Sequence, residues 1–289
     1  MELIGTVLGF YLPLLAGFIY GRFFNGRSFS RGMSKITLYF FLPLLLYDSI
    51  ARRHVDFSLN MYWFMLFFAI YITLISFIPS ILIFKNDRNL VMVSIYINAG
   101  FLPIPLAYSL WGAEAVSLIG FFILGQIIIV NFIIPLLVSS NFVDGFKRLL
   151  KFPPIYALIV GLISSSFNLL PSPSIMNVIS DLGNVAPKLA LLTLGADASG
   201  IEKLSWNGFK VAFIRIICSP LFTVPLLLLL KIRGLPFMVV LLESMMPPAV
   251  ANIIFANEFN LDVDKIANAV ITSTIIATLI IPPIFFTFT

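Results

Sequence analysis

Charge is what this sequence is short of. Of its 289 residues 11% are charged and 60% hydrophobic, and the mean hydropathy is +1.05. A water-soluble domain carries about 25% charged residues, because its surface must be solvated. The 18 basic and 13 acidic side chains cannot cover such a surface, so lipid has to be the solvent for most of the exterior. Cysteine and histidine are nearly missing, with one of each. Cys218 sits in an apolar run and has no mate for an intramolecular disulfide. His54 stands beside Arg52 and Arg53 with no ligand cluster around it, which excludes metal-dependent catalysis and leaves no metal site to expect. No G-x-x-x-x-G-K-S/T phosphate loop occurs, so ATP-driven transport is not encoded in this chain. Serine is plentiful, but without a base in reach it does not signal a hydrolase. The reading is therefore not an enzyme, with no cofactor.

Apolar runs fill the space that charge leaves. Each is near the ~20 residues needed to cross ~30 Å of hydrocarbon. The first, Met1 to Tyr20, lacks a basic leader region and a small-residue cleavage site, and is read as a retained span. Ten spans are expected, at 2–20, 34–51, 61–84, 90–111, 114–140, 152–170, 176–198, 206–231, 235–257 and 264–287. Trp63, Trp111 and Trp206 fall near span ends, as interfacial anchors do. The odd-numbered loops hold twelve Lys or Arg and the even-numbered ones only Arg52, Arg53, Lys231 and Arg233. Positive loops stay in the cytoplasm, so both termini are expected outside a cell membrane. The net charge of +5 is thus a topology signal, not a sign of nucleic-acid binding.

Landmarks in the first half return in the second. Gly17 maps to Gly161 and Pro43 to Pro187, each 144 residues on, and Pro79 to Pro225, 146 on. Pro103 maps to Pro247 or Pro248, and Pro135 to Pro282, 147 on. Residues 1–145 would hold five spans and 146–289 another five. An odd number of spans per half makes the repeat inverted, the arrangement of many alternating-access transporters.

Two spans read as broken near their middles. One carries Asn98, Gly100, Pro103 and Pro105, and the other Glu243, Pro247, Pro248 and Asn252. Each proline lacks an N–H and pushes its predecessor out of helical geometry. Irregular backbone at membrane depth survives only when buried in protein or lining a wet cavity. Matched breaks in two halves point to a transport site. Their helix N-termini suit an anion and their carbonyl ends suit a cation. A charge at a helix centre costs about 2.5–3.5 kcal/mol on the insertion scale, so each one needs a partner or a purpose. Lys188, just after Pro187, could neutralise a substrate carboxylate, pair with Asp181 or snorkel to an interface. Asn98 and Asn252 could cap loose backbone or contact substrate. Asp48 and Arg215 read as structural or topological groups, and Gln126 and Asn131 are further polar groups at depth.

The run Leu242-Glu243-Ser244-Met245-Met246-Pro247-Pro248-Ala249-Val250-Ala251-Asn252 resembles the signature of the auxin efflux carrier family. Residues Asn98 to Pro105, Phe41 to Leu45, and Leu182 to Pro187 with Leu194 to Ala196 resemble it too, and the resemblance spans essentially the whole chain. That family includes plant auxin exporters and prokaryotic malate- and malonate-type permeases, with a fold similar to bile acid symporters. The resemblance implies a scaffold domain of spans 1, 2, 6 and 7 and a transport domain of spans 3 to 5 and 8 to 10. Spans 4 and 9 would be the crossed, broken helices. The short loop from Ser140 to Phe152 resembles prokaryotic members, and Lys188 departs from the apolar residue expected there.

The expected fold is thus all-α integral membrane. The expected function is secondary transport of small organic anions by an elevator-type alternating-access motion. Two rivals stand beside it: a cation/proton antiporter or sodium-coupled symporter on the same fold, and a non-transporting membrane receptor. The coupling ion, proton or sodium, stays open, as does a homodimer.

Overall fold

The computed structural model describes residues 2–24, 26–52, 61–85, 87–138, 150–200, 203–258 and 261–287. Arg53, His54, and the segment holding Lys147 and Arg148 lie outside them, as does the side chain of Asn131. The described residues are almost wholly helical, and their one β-like contact is an isolated antiparallel bridge between Ile97 and Pro248.

The first half holds α1 (Glu2–Phe23), α2 (Gly26–Ile36), α3 (Leu42–Ala51), α4 (Met61–Phe84), α5 (Arg88–Ile95) and α6 (Pro103–Val138). The second holds α7 (Pro153–Phe167), α8 (Pro173–Gly183), α9 (Val185–Ala198), α10 (Trp206–Phe213), α11 (Ser219–Leu229), α12 (Gly234–Met245), α13 (Ala251–Glu258) and α14 (Val263–Phe286). A π-helical turn, Thr37–Phe41, joins α2 to α3, and another, Ile214–Cys218, joins α10 to α11. Among the described residues six helical stretches are long and apolar enough to cross a membrane: Ile4–Phe23, Ser28–Ala51, Met61–Phe84, Pro103–Val130, Trp206–Leu229 and Val263–Phe286. Pro153–Phe167 and Gly234–Met245 are apolar but shorter. Their outward faces are bare hydrocarbon, with Leu82 72% and Leu229 78% exposed, which only a lipid solvent tolerates.

Helix α6 runs through the turn expected between two spans. Gly112 sits there with φ 71° and ψ −162°, a conformation open to glycine and barred to side chains by their Cβ. Two helical limbs therefore meet at Gly112. Trp63 and Trp206 are exposed, as interfacial anchors should be, while Trp111 instead packs edge-on against Phe285.

Helix α1 packs most heavily on α9, and α3 on α7. The α1–α9 contact is backbone against backbone. A Cβ on Gly17 would lie 1.9 Å from the Leu192 carbonyl oxygen, and one on Gly195 would lie 1.9 Å from that of Leu14. Small residues that let helices touch this closely replace the hydrophobic effect, which lipid cannot supply between helices. Asp48 is held by Arg52 at 2.6 Å, and Arg52 also donates to the Met176 carbonyl at 2.8 Å. That ties α3 to α8 and gives Asp48 a structural role.

Gly195→Ala should therefore lower stability by about 1–3 kcal/mol through overpacking. Gly9→Ala, with nothing within 4 Å of the added carbon, should leave stability unchanged. Thermal unfolding of both variants in detergent checks the pair.

Candidate functional site

Helix α5 ends at Ile95 and α6 opens at Pro103; α12 ends at Met245 and α13 opens at Ala251. The two interruptions lie against each other. The Asn98 N–H donates to the Pro247 carbonyl at 2.7 Å, and the Ala249 N–H donates to the Tyr96 carbonyl at 2.9 Å. These bonds frame the Ile97–Pro248 bridge, so each break supplies partners that the other lacks.

Prolines create the breaks in two ways. Pro103 and Pro105 occupy the first turn of α6, where N–H groups have no intrahelical acceptor and their absence is harmless. Pro247 and Pro248 lie inside the second break, where they forbid continuation of α12. All four are buried. This also shifts the register between halves. Helix ends Ile95 and Met245 are 150 residues apart, whereas Pro103 precedes Pro247 and Pro248 by 144 and 145.

Side chains complete the crossing. The N–H groups of Gly100 and Phe101 donate to Asn98 Oδ1 at 3.4 and 2.9 Å, which caps α6. Gln126 Nε2 donates to the Ile97 carbonyl at 3.1 Å. Asn252 Nδ2 donates to the Tyr96 and Ala249 carbonyls at 2.9 and 2.8 Å. Both asparagines cap backbone, and each keeps one buried atom without a partner: Nδ2 of Asn98 and Oδ1 of Asn252. Gly100 borders open space, since a Cβ there would meet only Ile123 Cδ1 at 4.0 Å.

A family model described as membrane transport protein matches residues 7–142 and 135–285. The chain belongs to that family, the auxin efflux carriers. It is 28% identical over 201 residues to an uncharacterised transporter of Methanothermobacter thermautotrophicus, covering 67% of this chain and 66% of that one. It is likewise 28% identical over 210 residues to an uncharacterised transporter of Methanocaldococcus jannaschii, covering 68% of each. The aligned stretch thus spans about two thirds of each relative. The chain is a multi-pass transporter embedded in a lipid bilayer.

The transporter's deepest charges are Arg215 and Glu243, both fully buried. Arg215 lies in the π-turn of α10–α11 and reaches the carbonyl end of α12. Its Nε donates to the Met246 carbonyl at 3.0 Å, and its Nη2 to those of Ser244 at 3.0 Å and Glu243 at 3.5 Å. Its Nη1 donates to Ser76 Oγ on α4. Arg215 thus lies well inside its span and not at an end, where a topology signal would stand. The pattern of apolar residues does not show that a π-turn re-aims one side chain inward. Both carboxylate oxygens of Glu243 are buried without a hydrogen bond.

Lys188 goes elsewhere. It is exposed on α9 and, among the described residues, makes no hydrogen bond or ion pair, with Asp181 or any other. It makes no pair with Glu243 either; the charge that acts on Glu243 is Arg215. An acid the sequence reading passed over takes the more interesting place. Asp197, near the end of α9, accepts a hydrogen bond from Ser30 and leaves Oδ2 buried without a partner. It lines a small cleft of ≈ 30 Å³ with Ala198, Val250, Ile253, Val270 and Thr274. Thr274 Oγ1 is likewise buried and unpartnered. Val250 belongs to the second break, so the cleft adjoins the crossing.

The dual role of Asn98 can be dissected. Asn98→Ser keeps a capping oxygen, whereas Asn98→Ala removes it and should cost about 0.5–2 kcal/mol. If the free Nδ2 serves only structure, the serine variant will match the native protein in both melting temperature and solute binding. Loss of binding at native stability assigns that amide to the ligand.

Proposed function

We propose that this chain carries small organic acids across the membrane by alternating access, with the solute held beside the crossing of the two broken segments. The mutual pairing of those breaks carries the reading. Unwound backbone at membrane depth is expensive unless it serves a pocket, and this backbone meets a cleft with free polar atoms. The unpartnered Asn98 Nδ2 is a donor suited to a carboxylate, and the positive dipole ends of α6 and α13 favour negative charge beside it.

The same reading makes the chain a five-plus-five inverted repeat, and matched landmarks support it. Lys85 and Lys231, 146 residues apart, both adopt left-handed backbone, at φ 52° and 55°. Each follows a proline by six residues, Pro79 and Pro225. Gly17 meets Leu192 at the α1–α9 contact, and its mate Gly161 meets Ile50 and Tyr47 at the α3–α7 contact. In this reading α1 to α3 and α7 to α9 form a scaffold, and the remaining helices form the body that moves. Few hydrogen bonds join the two groups: Tyr108 to Asn184 Oδ1 at 2.8 Å and Tyr11 to the Thr278 carbonyl at 3.1 Å are among them. The Asp197 cleft is lined by α9 of the first group and by Val250, α13 and α14 of the second.

One observation favours a second reading. Asp197 presents an unpartnered carboxylate oxygen to the cleft, which suits cation or proton exchange better than binding of an anion. Proteoliposomes separate the two. Electrogenic uptake of a radiolabelled dicarboxylate supports organic-acid transport, and pH-driven sodium movement without organic acid supports exchange. Flux of neither kind returns the non-transporting receptor.

Gly100→Val provides the internal control. Its added carbons enter open space, so the melting temperature should hold while flux falls at least about tenfold, as a filled site demands. Native flux in this variant removes the crossing from the solute path.

A further inference from the structure

We propose that Arg215 is a built-in monovalent cation, its guanidinium filling an oxygen cup at the end of α12 that would otherwise hold a sodium ion, so that this transporter works without sodium. The inference rests on the crossing being the transport centre and concerns how that centre is coupled.

The cup is made of hard, neutral oxygens. The carbonyls of Glu243, Ser244 and Met246 converge on one side and Ser76 Oγ closes the other. Ser76 donates its own proton to the Ile72 carbonyl at 2.6 Å, which leaves its lone pairs facing inward. The last carbonyls of a helix have no intrahelical partner and carry partial negative charge. Carbonyl ends of interrupted helices are where sodium-coupled transporters hold their ion. Here the same kind of end is occupied by a side chain from the neighbouring helix.

The occupant suits the cup. A guanidinium is planar, offers five N–H donors and stays protonated at any working pH. Three of its nitrogens reach four acceptors. The π-turn Ile214–Cys218 places Arg215 there by inserting an extra residue into the helix. The acid that interacts with it is Glu243, fully buried near the same helix end, whose carboxyl oxygens make no hydrogen bond of their own. Other sources of charge are scarce. Of the helices packed on α12, α4 and α11 carry no charged residue, α6 carries only Glu114, and α14 carries Asp264 and Lys265 in its first turn. The first break has no such cation. The Ile97 carbonyl there takes the neutral amide of Gln126.

Without the guanidinium, the cup would keep its oxygens and the Glu243 charge, a ready-made cation site. Thermal unfolding of the purified full chain in detergent tests this with no solute required. The native protein should melt at the same temperature in sodium chloride and in N-methylglucamine chloride of equal ionic strength. Arg215→Gly should melt at least about 5 °C lower. Sodium or methylguanidinium should then raise its melting temperature saturably, as ligands of the folded state do. If Arg215→Gly does not fold, Arg215→Lys and Arg215→Gln replace it. The lysine variant should remain indifferent to sodium, and the glutamine variant should respond to it. A sodium-dependent rise in the native protein overturns the proposal. So does indifference of the glycine or glutamine variant to both cations. The readout is stability, so a chain that moves no solute could still pass it. Sodium-driven solute flux in the native protein would refute it while leaving transport intact.

Discussion

Backbone that leaves the helix inside hydrocarbon must find partners for its N–H and C=O groups, because no water is there to supply them. Nearly everything particular about this fold answers that constraint. The two breaks answer it for each other, through the Asn98–Pro247 and Ala249–Tyr96 hydrogen bonds. Neither interruption is viable alone. If one half-helix moved away, at least two main-chain groups on each side would be stranded. The crossing is therefore a rigid joint, and in the proposed cycle motion falls at the outer surface of the body that carries it.

The residual groups are satisfied asymmetrically, and the asymmetry carries chemical meaning. Neutral amides serve the first break, from Gln126, Asn252 and Asn98. A full charge, Arg215, serves the second. Neutral amides cap a dipole end without fixing a net charge there. A guanidinium held by three carbonyls brings a full charge to a place that water does not reach, and Glu243, equally buried, is the acid that interacts with it.

Legibility in the sequence followed physical cause. Lipid exposure was written in composition, because 11% charged residues cannot coat a soluble surface. The breaks were written in prolines, since a missing N–H has the same consequence in any context. The capping asparagines were legible as a class, although which atom caps and which stays free depended on the fold. Three features were hidden. Arg215 sits mid-span in a hydrophobic run, and only the π-turn reveals that it aims at α12. Lys188 carried the more suggestive spacing, yet α9 turns it outward to an exposed position. Asp197 was passed over because its importance comes from the cleft it shares with Val250 and Thr274, residues more than fifty positions away. The proline register misled as well. Pro103 begins a half-helix while Pro247 precedes one, so a shared proline marks different places in the two breaks.

Packing density decides where such a molecule can move. At Gly17 and Gly195 two backbones touch with no side chain between them, leaving neither slack nor an alternative rotamer. The proposed sliding surface is built differently. Its hydrogen bonds run from single tyrosine hydroxyls to Asn184 and Thr278, and each can be exchanged for another acceptor along a helix. Asn184 is also the point where α8 gives way to α9, so the shorter of these two bonds ends on an already interrupted helix. A surface of few exchangeable bonds beside an interface of locked glycines sets the direction of least resistance. The Asp197 cleft lies on that surface, where relative motion would open it to one side of the membrane and close it to the other.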